Sequence, residues 1–348
     1  MNTTLHLETP DGHTTVTLTP ADTKLPLSDV LAHRGHPLNT RCGGRGLCGG
    51  CEIGLRSGSL VRTTDGTAVG PSADDRLRSC QLRLPEGGDA TVKIPARSLL
   101  KHEPAVVAEF KINVPWANDP LDPAARVGAC VDIGTTTVAL MLADLQTGKV
   151  LGEASAFNAQ IRYGEDVLTR IQMCHQNPEA VRQLQRAVAV ETMQPLLEEA
   201  CREAGLAPAD IGVMTVAANT TMQHLLAGVD PSPLGVHPFT PVFLEHREYA
   251  PADLGLAFGG AGAKVHLLPG PAAYVGADLS AGLVATGMLY DEGPVLLVDV
   301  GTNGEIIAKV GDRLIGCATA AGPAFEGAGL TSGTRGVKGA IERVTMRN

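Results

Sequence analysis

Two stretches of the chain repeat one short frame. CVDIGTTTVAL occupies residues 130–140 and LVDVGTNGEII residues 297–307, each carrying apolar–Asp–apolar–Gly–Thr at the end of an apolar run and each leading into another strand-like run. A single DxGT is weak evidence, because a short strand turn of this kind recurs by chance. Two copies in matching contexts constrain the fold much more: they point to a duplicated α/β unit whose strand–turn–strand hairpins face each other across a cleft. The frame suits a polyphosphate. Gly134 and Gly301 let backbone N–H groups approach phosphate oxygens with no side chain between, and Thr135, Thr136, Thr302 and Asn303 add donors. Asp132 and Asp299 cannot meet phosphate directly, because like charges repel; they suit a magnesium ion, reached through water, or the positioning of an attacking water. The plainer alternative is that both aspartates bond only their own turns on a non-catalytic scaffold. Two other phosphate motifs are absent: there is no GxxxxGK[ST], and no GxGxxG follows a strand.

The second informative stretch is CGGRGLCGGC, residues 42–51. Cys42, Cys48 and Cys51 are separated by five and two residues, and Cys80 follows after 28 more. Zinc ribbons present two C-x2-C pairs, and only one such pair occurs here. The C-x5-C-x2-C…C arrangement is instead a small variation on the plant-type spacing for a [2Fe–2S] cluster, which favours these four cysteines as its ligands over structural zinc or free thiols. Glycines 43, 44, 46, 49 and 50 let such a loop wrap a cluster and direct N–H groups at its sulfurs. Arg41 and Arg45 read equally as a docking rim or as ordinary solvated residues. Cys130, Cys174, Cys201 and Cys317 stand singly in apolar or helical contexts and read as packed small hydrophobes.

The formal net charge of −9 leaves no footprint for nucleic acid or an anionic membrane, and the aromatic content of 3% provides no stacking platform. No basic flank precedes an apolar run at the N-terminus, and nowhere do 18 apolar residues run together. One clustered cysteine site among scattered cysteines fits a reducing cytoplasm better than a disulfide-stapled secreted domain.

Periodicity divides the 348 residues. TLHLET and TTVTLT, joined by PDGH, read as a hairpin; residues 25–35 can form a short helix with Leu27, Val30 and Leu31 on one face; CEIGLR, SCQLRL and ATVKIP read as further strands. These make a small domain over residues 1–96. Residues 97–127, with prolines 104, 115, 120 and 123, read as a connector. From 128 to 292 the pattern is strand, glycine turn, strand, hairpin, strand; then helices over 165–175 and 178–204, the longer one weakened by Glu191 and Pro195. IGVMTVAANT is a buried strand, NTTMQHLLAGV a helix capped by Asn219 or Thr220, and YVGADLSAGLVATGML a small-residue helix. Residues 293–348 open with the second strand–turn–strand. Further on, Glu326 lies in a glycine-rich stretch that reads equally as cleft lining and as a packing loop.

With both halves in view, the chain resembles the reductive activators of corrinoid proteins. These join an N-terminal [2Fe–2S] ferredoxin domain to an ATPase domain of the acetate and sugar kinase, Hsp70 chaperone and actin superfamily. CGGRGLCGGC with RLRSCQ is similar to the cluster loop, which implies Cys42, Cys48, Cys51 and Cys80 as ligands. VDIGTTT resembles the first phosphate motif and implies Asp132, Gly134, Thr135 and Thr136 beside the nucleotide; VDVGTNGEI resembles the second and implies Asp299, Gly301, Thr302, Asn303 and Glu305. NTTMQHLLAGVDPSPLGVHPFTPVF and AAGPAFEGAG also look like family segments. The implied architecture is α/β: a β-grasp ferredoxin domain, the 97–127 linker, a first ATPase lobe over 128–292 and the start of a second over 293–348. The implied activity is ATP-dependent return of cob(II)alamin on a partner corrinoid protein to Co(I). Its cofactors are the [2Fe–2S] cluster, ATP and Mg2+, its partner on the electron-entry side is a low-potential donor, and a homodimer is allowed. Family members are longer, so the expectation is an incomplete second lobe, no separate middle domain, and weak or absent ATP binding by the chain as it stands. Two competing readings follow from the same residues: a ferredoxin-type electron carrier whose second domain only mediates docking, and a small-molecule kinase with an attached redox sensor.

Overall fold

Alternation of apolar and polar residues builds the first part of the chain. In TLHLET, Leu5 and Leu7 share a face and are buried, and the strand β1 (Thr3–Thr9) pairs antiparallel with β2 (Gly12–Leu18). The computed structural model describes residues 3–10, 12–38, 40, 44, 46, 50–71, 75–95, 98–99 and 125–319. Two units emerge: Met1–Lys101 with Ile161–Glu165, and His102–Gln160 with Asp166–Asn348.

In the first unit the helix α1 (Leu27–His33) starts after Pro26, ends before Gly35 at φ 80°, and buries Leu27, Val30 and Leu31. Strands β3 (Glu52–Ser57), β4 (Leu60–Arg62), β5 (Ala68–Val69), β6 (Leu77–Arg78), β7 (Leu82–Arg83) and β8 (Asp89–Lys93) follow. The main sheet runs β2-β1-β8-β3-β6, with β8 parallel to β1 and β3 antiparallel to β8; a smaller sheet runs β5-β4-β7. A hairpin, a covering helix and parallel first and last strands make the β-grasp arrangement. SCQLRL departs from expectation. Residues Ser79–Gln81 form a 3-10 turn and only Leu82–Arg83 is extended, because the Ser79 N–H and hydroxyl both donate to the Cys51 carbonyl, at 3.2 and 2.9 Å.

In the second unit β9 (Val127–Ile133), β10 (Thr137–Asp144) and β11 (Val150–Phe157) form an antiparallel meander. The helix α2 (Val167–Gln176) is capped by the Asp166 carboxylate, which accepts from the Thr169 N–H at 2.7 Å. The expected long helix divides into α3 (Glu179–Val188), a π turn over Ala189–Met193, and α4 (Gln194–Ala204). Pro195 has no N–H to give the Glu191 carbonyl, and the wider turn accommodates that loss. Then come β12 (Ile211–Ala218), α5 (Thr220–Leu226), β13 (Arg247–Tyr249), β14 (Lys264–Leu267) and α6 (Ala277–Ala285). The Asn219 side chain caps α5 by accepting from the Met222 N–H at 3.0 Å. The sheet order is β11-β10-β9-β12-β14-β13, with β12 parallel to both β9 and β14. A second sheet, β15 (Val295–Val300), β16 (Gly304–Val310) and β17 (Arg313–Thr319), is an antiparallel meander. One of its faces packs Leu297 and Ile307 against Leu279 and Leu283 of α6. On its other face Leu296, Val298 and Val300 are exposed.

Residues 320–348, with Glu326, lie outside the described residues, as does nearly all of the proline-containing connector. Among the described residues no helix is long and apolar enough to cross a membrane.

Glycine sets the distance between helix layer and sheet. A Cβ on Gly152 of β11 would stand 2.7 Å from the Ala200 carbonyl oxygen of α4 and 3.3 Å from Ala204 Cβ. Gly152→Ala therefore forces α4 off the sheet and is expected to destabilise the protein by about 1–3 kcal/mol. The measurement is the urea midpoint of unfolding; an unchanged midpoint would refute this account of the packing.

Candidate functional site

The cysteine site begins with strand register. Glu52 pairs with Arg78 and Ile53 with Leu77, so the antiparallel ladder continued by one residue sets Cys51 opposite Ser79. Both Ser79 bonds to the Cys51 carbonyl hold that registry, and they bring the Cys51 and Cys80 thiols together, each buried. The pair shares a proton: a hydrogen bond from Cys80 lowers the Cys51 thiol to about 6, while the neighbouring Cys51 thiolate and burial push Cys80 up. Two buried sulfurs with one proton between them are a donor set that fits an iron–sulfur cluster, where metal cations replace the proton and hold both as thiolates.

The glycine loop is anchored beside them. Gln81 Nε2 donates to the Gly44 carbonyl at 2.7 Å and approaches Cys80 Sγ at 3.8 Å, and Arg78 donates to the Gly46 carbonyl. Gly44 and Gly46 sit at φ 77° and 72°, and a Cβ at Gly46 would meet Gln81 Cγ at 2.9 Å. Cys42 and Cys48 lie outside the described residues; among those described, no group of three or more His, Cys, Asp or Glu is arranged to hold a metal. The single cysteines divide. Cys174 and Cys201 are buried as expected, whereas Cys130 and Cys317 are exposed, Cys130 on the same face of β9 as Asp132 and Cys317 in a strand exposed along its whole length.

In the second unit the two repeated frames meet. Thr136 Oγ1 lies 3.0 Å from Thr302 Oγ1, joining the β9–β10 turn to the β15–β16 turn. The glycines are not equivalent. Gly134 donates its N–H to the Thr137 carbonyl at 2.8 Å, and a Cβ there would stand 2.7 Å from that oxygen, so the turn itself requires glycine. Gly301 donates to the Asn303 carbonyl at 3.0 Å, and a Cβ there would make ordinary contact at 3.5 Å. Asn219 Nδ2 donates to Thr135 Oγ1 at 3.2 Å.

Four carboxylates gather near these turns. Asp299 and Glu305 are cross-strand partners in β15–β16 and so share a face; Glu305 is buried. Asp132 is exposed to solvent; crowding by nearby protein and then the charge of Asp299 raise it to about 6. Burial, with the charges of Asp278 and Asp299, raises Glu305 to about 7. Asp278 also stands at about 6, raised by burial and by Asp132 and Asp299 against the Leu279 N–H that bonds it at 2.9 Å. Sequence reading missed Asp278. Its signal is the glycine before it: a Cβ on Gly276 would fall 2.6 Å from Asn219 Cα and 2.8 Å from the Ala218 carbonyl oxygen, so glycine lets the start of α6 press onto the end of β12. Mutual repulsion among gathered carboxylates is relieved by a proton or a divalent cation, and the adjacent turns offer hydroxyl and N–H donors, so the residues present fit a magnesium–nucleotide pair.

These groups bind protons more tightly folded than unfolded. Their contribution to stability is full below the ordinary carboxylate range near pH 4 and is lost as pH rises through about 6 to 7. Without divalent cations, the urea midpoint is expected to fall between about pH 5 and 7.5, and Asp278→Asn to flatten that fall. An identical slope in the variant would contradict the coupling.

Residues 127–291 match the family described as the RACo middle region, and residues 293–348 match the C-terminal domain of RACo, the ASKHA domain. The stretch expected as a first ATPase lobe thus bears the description of a middle region, which corrects the expectation that no such region is present. The corrinoid activation enzyme RamQ of Eubacterium limosum is 29% identical over 377 aligned residues, covering 92% of this chain and 62% of RamQ. A Methanosarcina barkeri protein named as a [Co(II) methylated amine-specific corrinoid protein] reductase is 46% identical over 67 residues, 19% of this chain and 12% of that protein. The solved structure of a reductive activator for corrinoid, iron–sulfur protein superposes with a TM-score of 0.59 at 27% identity, covering 99% of this chain and 67% of that one. The chain spans less than two thirds of the length of RamQ. With paired DxGT turns and two adjoining regions matched, the second of them the ASKHA domain, the chain belongs to the RACo family.

Proposed function

We propose that the chain acts in ATP-dependent reductive activation of a partner corrinoid protein, converting inactive Co(II) to Co(I). The observation that carries this reading is the Thr136–Thr302 contact, which joins two DxGT turns into one cleft in a chain that also buries a cysteine pair. In this reading Gly134, Thr135, Thr136, Gly301, Thr302 and Asn303 bind the phosphates. Asp132 and Asp299 orient Mg2+ and the attacking water, Glu305 lies beside them, and Asp278 joins that set. Cys42, Cys48, Cys51 and Cys80 hold a [2Fe–2S] cluster, which supplies one-electron transfer when bound. The cobamide belongs to the partner, a low-potential donor delivers the electrons, and the setting is the cytoplasm.

Energetics make the nucleotide useful. Each 100 mV by which a donor falls short of Co(II) costs about 2.3 kcal/mol per electron. Nucleotide-linked closure of a cleft is one way to commit an uphill transfer. Within the cleft this chain's residues bind and orient phosphate, hold protons on carboxylates near neutrality, and exchange those protons for a cation.

The test uses the full chain with its cluster reconstituted, a low-potential donor, a Co(II) corrinoid protein and Mg·ATP, read as the appearance of Co(I) absorbance. ATP is expected to accelerate the conversion. Asp132→Asn is expected to remove the acceleration by on the order of 100-fold, and Cys80→Ser to abolish electron transfer. Transfer at one rate with and without ATP would make the protein a ferredoxin-type carrier. Failure both of this chain and of a form extended to RamQ length would end the reading.

A further inference from the structure

A turn that offers N–H groups to an anion must send its carbonyls the other way, since the C=O of one residue and the N–H of the next are antiparallel across a trans peptide. Those carbonyls then need donors behind the turn, or their burial is costly. The first DxGT turn has such a donor at each of three consecutive residues. Asn158 Nδ2 donates to the Gly134 carbonyl at 3.0 Å, Arg170 Nη2 to the Thr135 carbonyl at 2.5 Å, and the Asn158 backbone N–H to the Thr136 carbonyl at 2.8 Å. The N–H groups of Thr135 and Thr136 are thereby turned away from Asn158 and Arg170.

The donors are themselves held. Asn158, Gln160 and Arg170 are each fully buried. Arg170 Nη1 donates to Gln160 Oε1 at 2.8 Å, the Gln160 backbone N–H donates to Asn158 Oδ1 at 3.0 Å, and Gln160 Nε2 donates to the Leu184 carbonyl at 2.9 Å. Met222 Sδ lies 3.1 Å from Arg170 Nη1. A guanidinium at the C-terminal side of the first turn of α2 and an amide just past β11 thus grip one three-residue turn from the back.

We infer that Arg170, together with Asn158, is a positioning residue for phosphate binding, presenting the Thr135 and Thr136 N–H groups in the orientation an incoming polyphosphate needs. This rests on the nucleotide reading of the cleft. Neither residue touches the phosphate; each acts through the backbone it holds, and the buried positive charge of Arg170 adds to the attraction.

The experiment is calorimetric titration of the full chain with Mg·ATP and with magnesium pyrophosphate, in the wild type, Arg170→Met, Arg170→Lys and Asn158→Asp. Each is first shown to be folded by circular dichroism at the titration temperature. Arg170→Met and Asn158→Asp are expected to weaken both ligands at least about 10-fold, or about 1.4 kcal/mol, and Arg170→Lys to recover part of the loss. A merely structural Arg170 would lower the thermal midpoint yet leave the affinity of the folded protein unchanged. Affinities within about twofold of wild type in folded Arg170→Met and Asn158→Asp would overturn the inference. If Arg170→Met does not fold, Asn158→Asp decides alone. If the wild type binds neither ligand, the nucleotide reading fails first, and that result is distinct from a wild type that binds with indifferent variants.

Discussion

The second unit depends on the orientation of a single turn. Residues 134–136 leave β9 with their three carbonyls drawn backward by Asn158 and Arg170, and Gly134 allows a closure that any Cβ would block. This fixes where Thr136 stands, and Thr136 is what meets Thr302 of the second frame. Asp132 stands on β9 two residues before Gly134, close enough to Asp299 to feel its charge. The donors that hold the turn come from just beyond β11 and from α2, so the meander, the helix layer and the turn form one connected construction.

Both chemically loaded sites follow one electrostatic logic. Cys51 and Cys80, both buried, share a proton, and Asp132, Asp278 and Glu305 hold protons up to about pH 6 to 7 because desolvation first, and then the charge of acidic neighbours, disfavours their ionised forms. In each case groups of like prospective charge lie close together, an arrangement that is costly unless cations are supplied. In the proposed reading iron would do so for the thiolates and magnesium for the carboxylates. The fold therefore gathers acidic groups where the proposed cofactors would neutralise them.

Much of this was legible in the residues. The paired DxGT frames, the first hairpin, the Asn219 cap and the weak middle of the long helix all follow from local rules of turn geometry, capping and period. Asp278, Asn158, Arg170 and Gln81 were not legible. Each acts on a partner distant in the chain, and none has a local pattern that separates it from an ordinary solvated residue. The strand expected at SCQLRL gave way to a 3-10 turn for the same reason, since its competing bonds come from Cys51, 28 positions earlier.

By itself the sequence determined which chemistry was available: glycine turns able to admit phosphate, thiols spaced for a cluster, and apolar periods able to build two α/β sheets with their helices. Those properties belong to residues and their near neighbours. Only the tertiary structure decided which groups confront one another. Strand register set Cys51 against the turn bearing Cys80, a cross-strand pair set Asp299 beside Glu305, and the close approach of α6 to β12 at Gly276 brought in Asp278. Proton affinity, desolvation and the direction of a backbone N–H depend on distances between segments far apart in the chain, and those distances exist only after packing has fixed them.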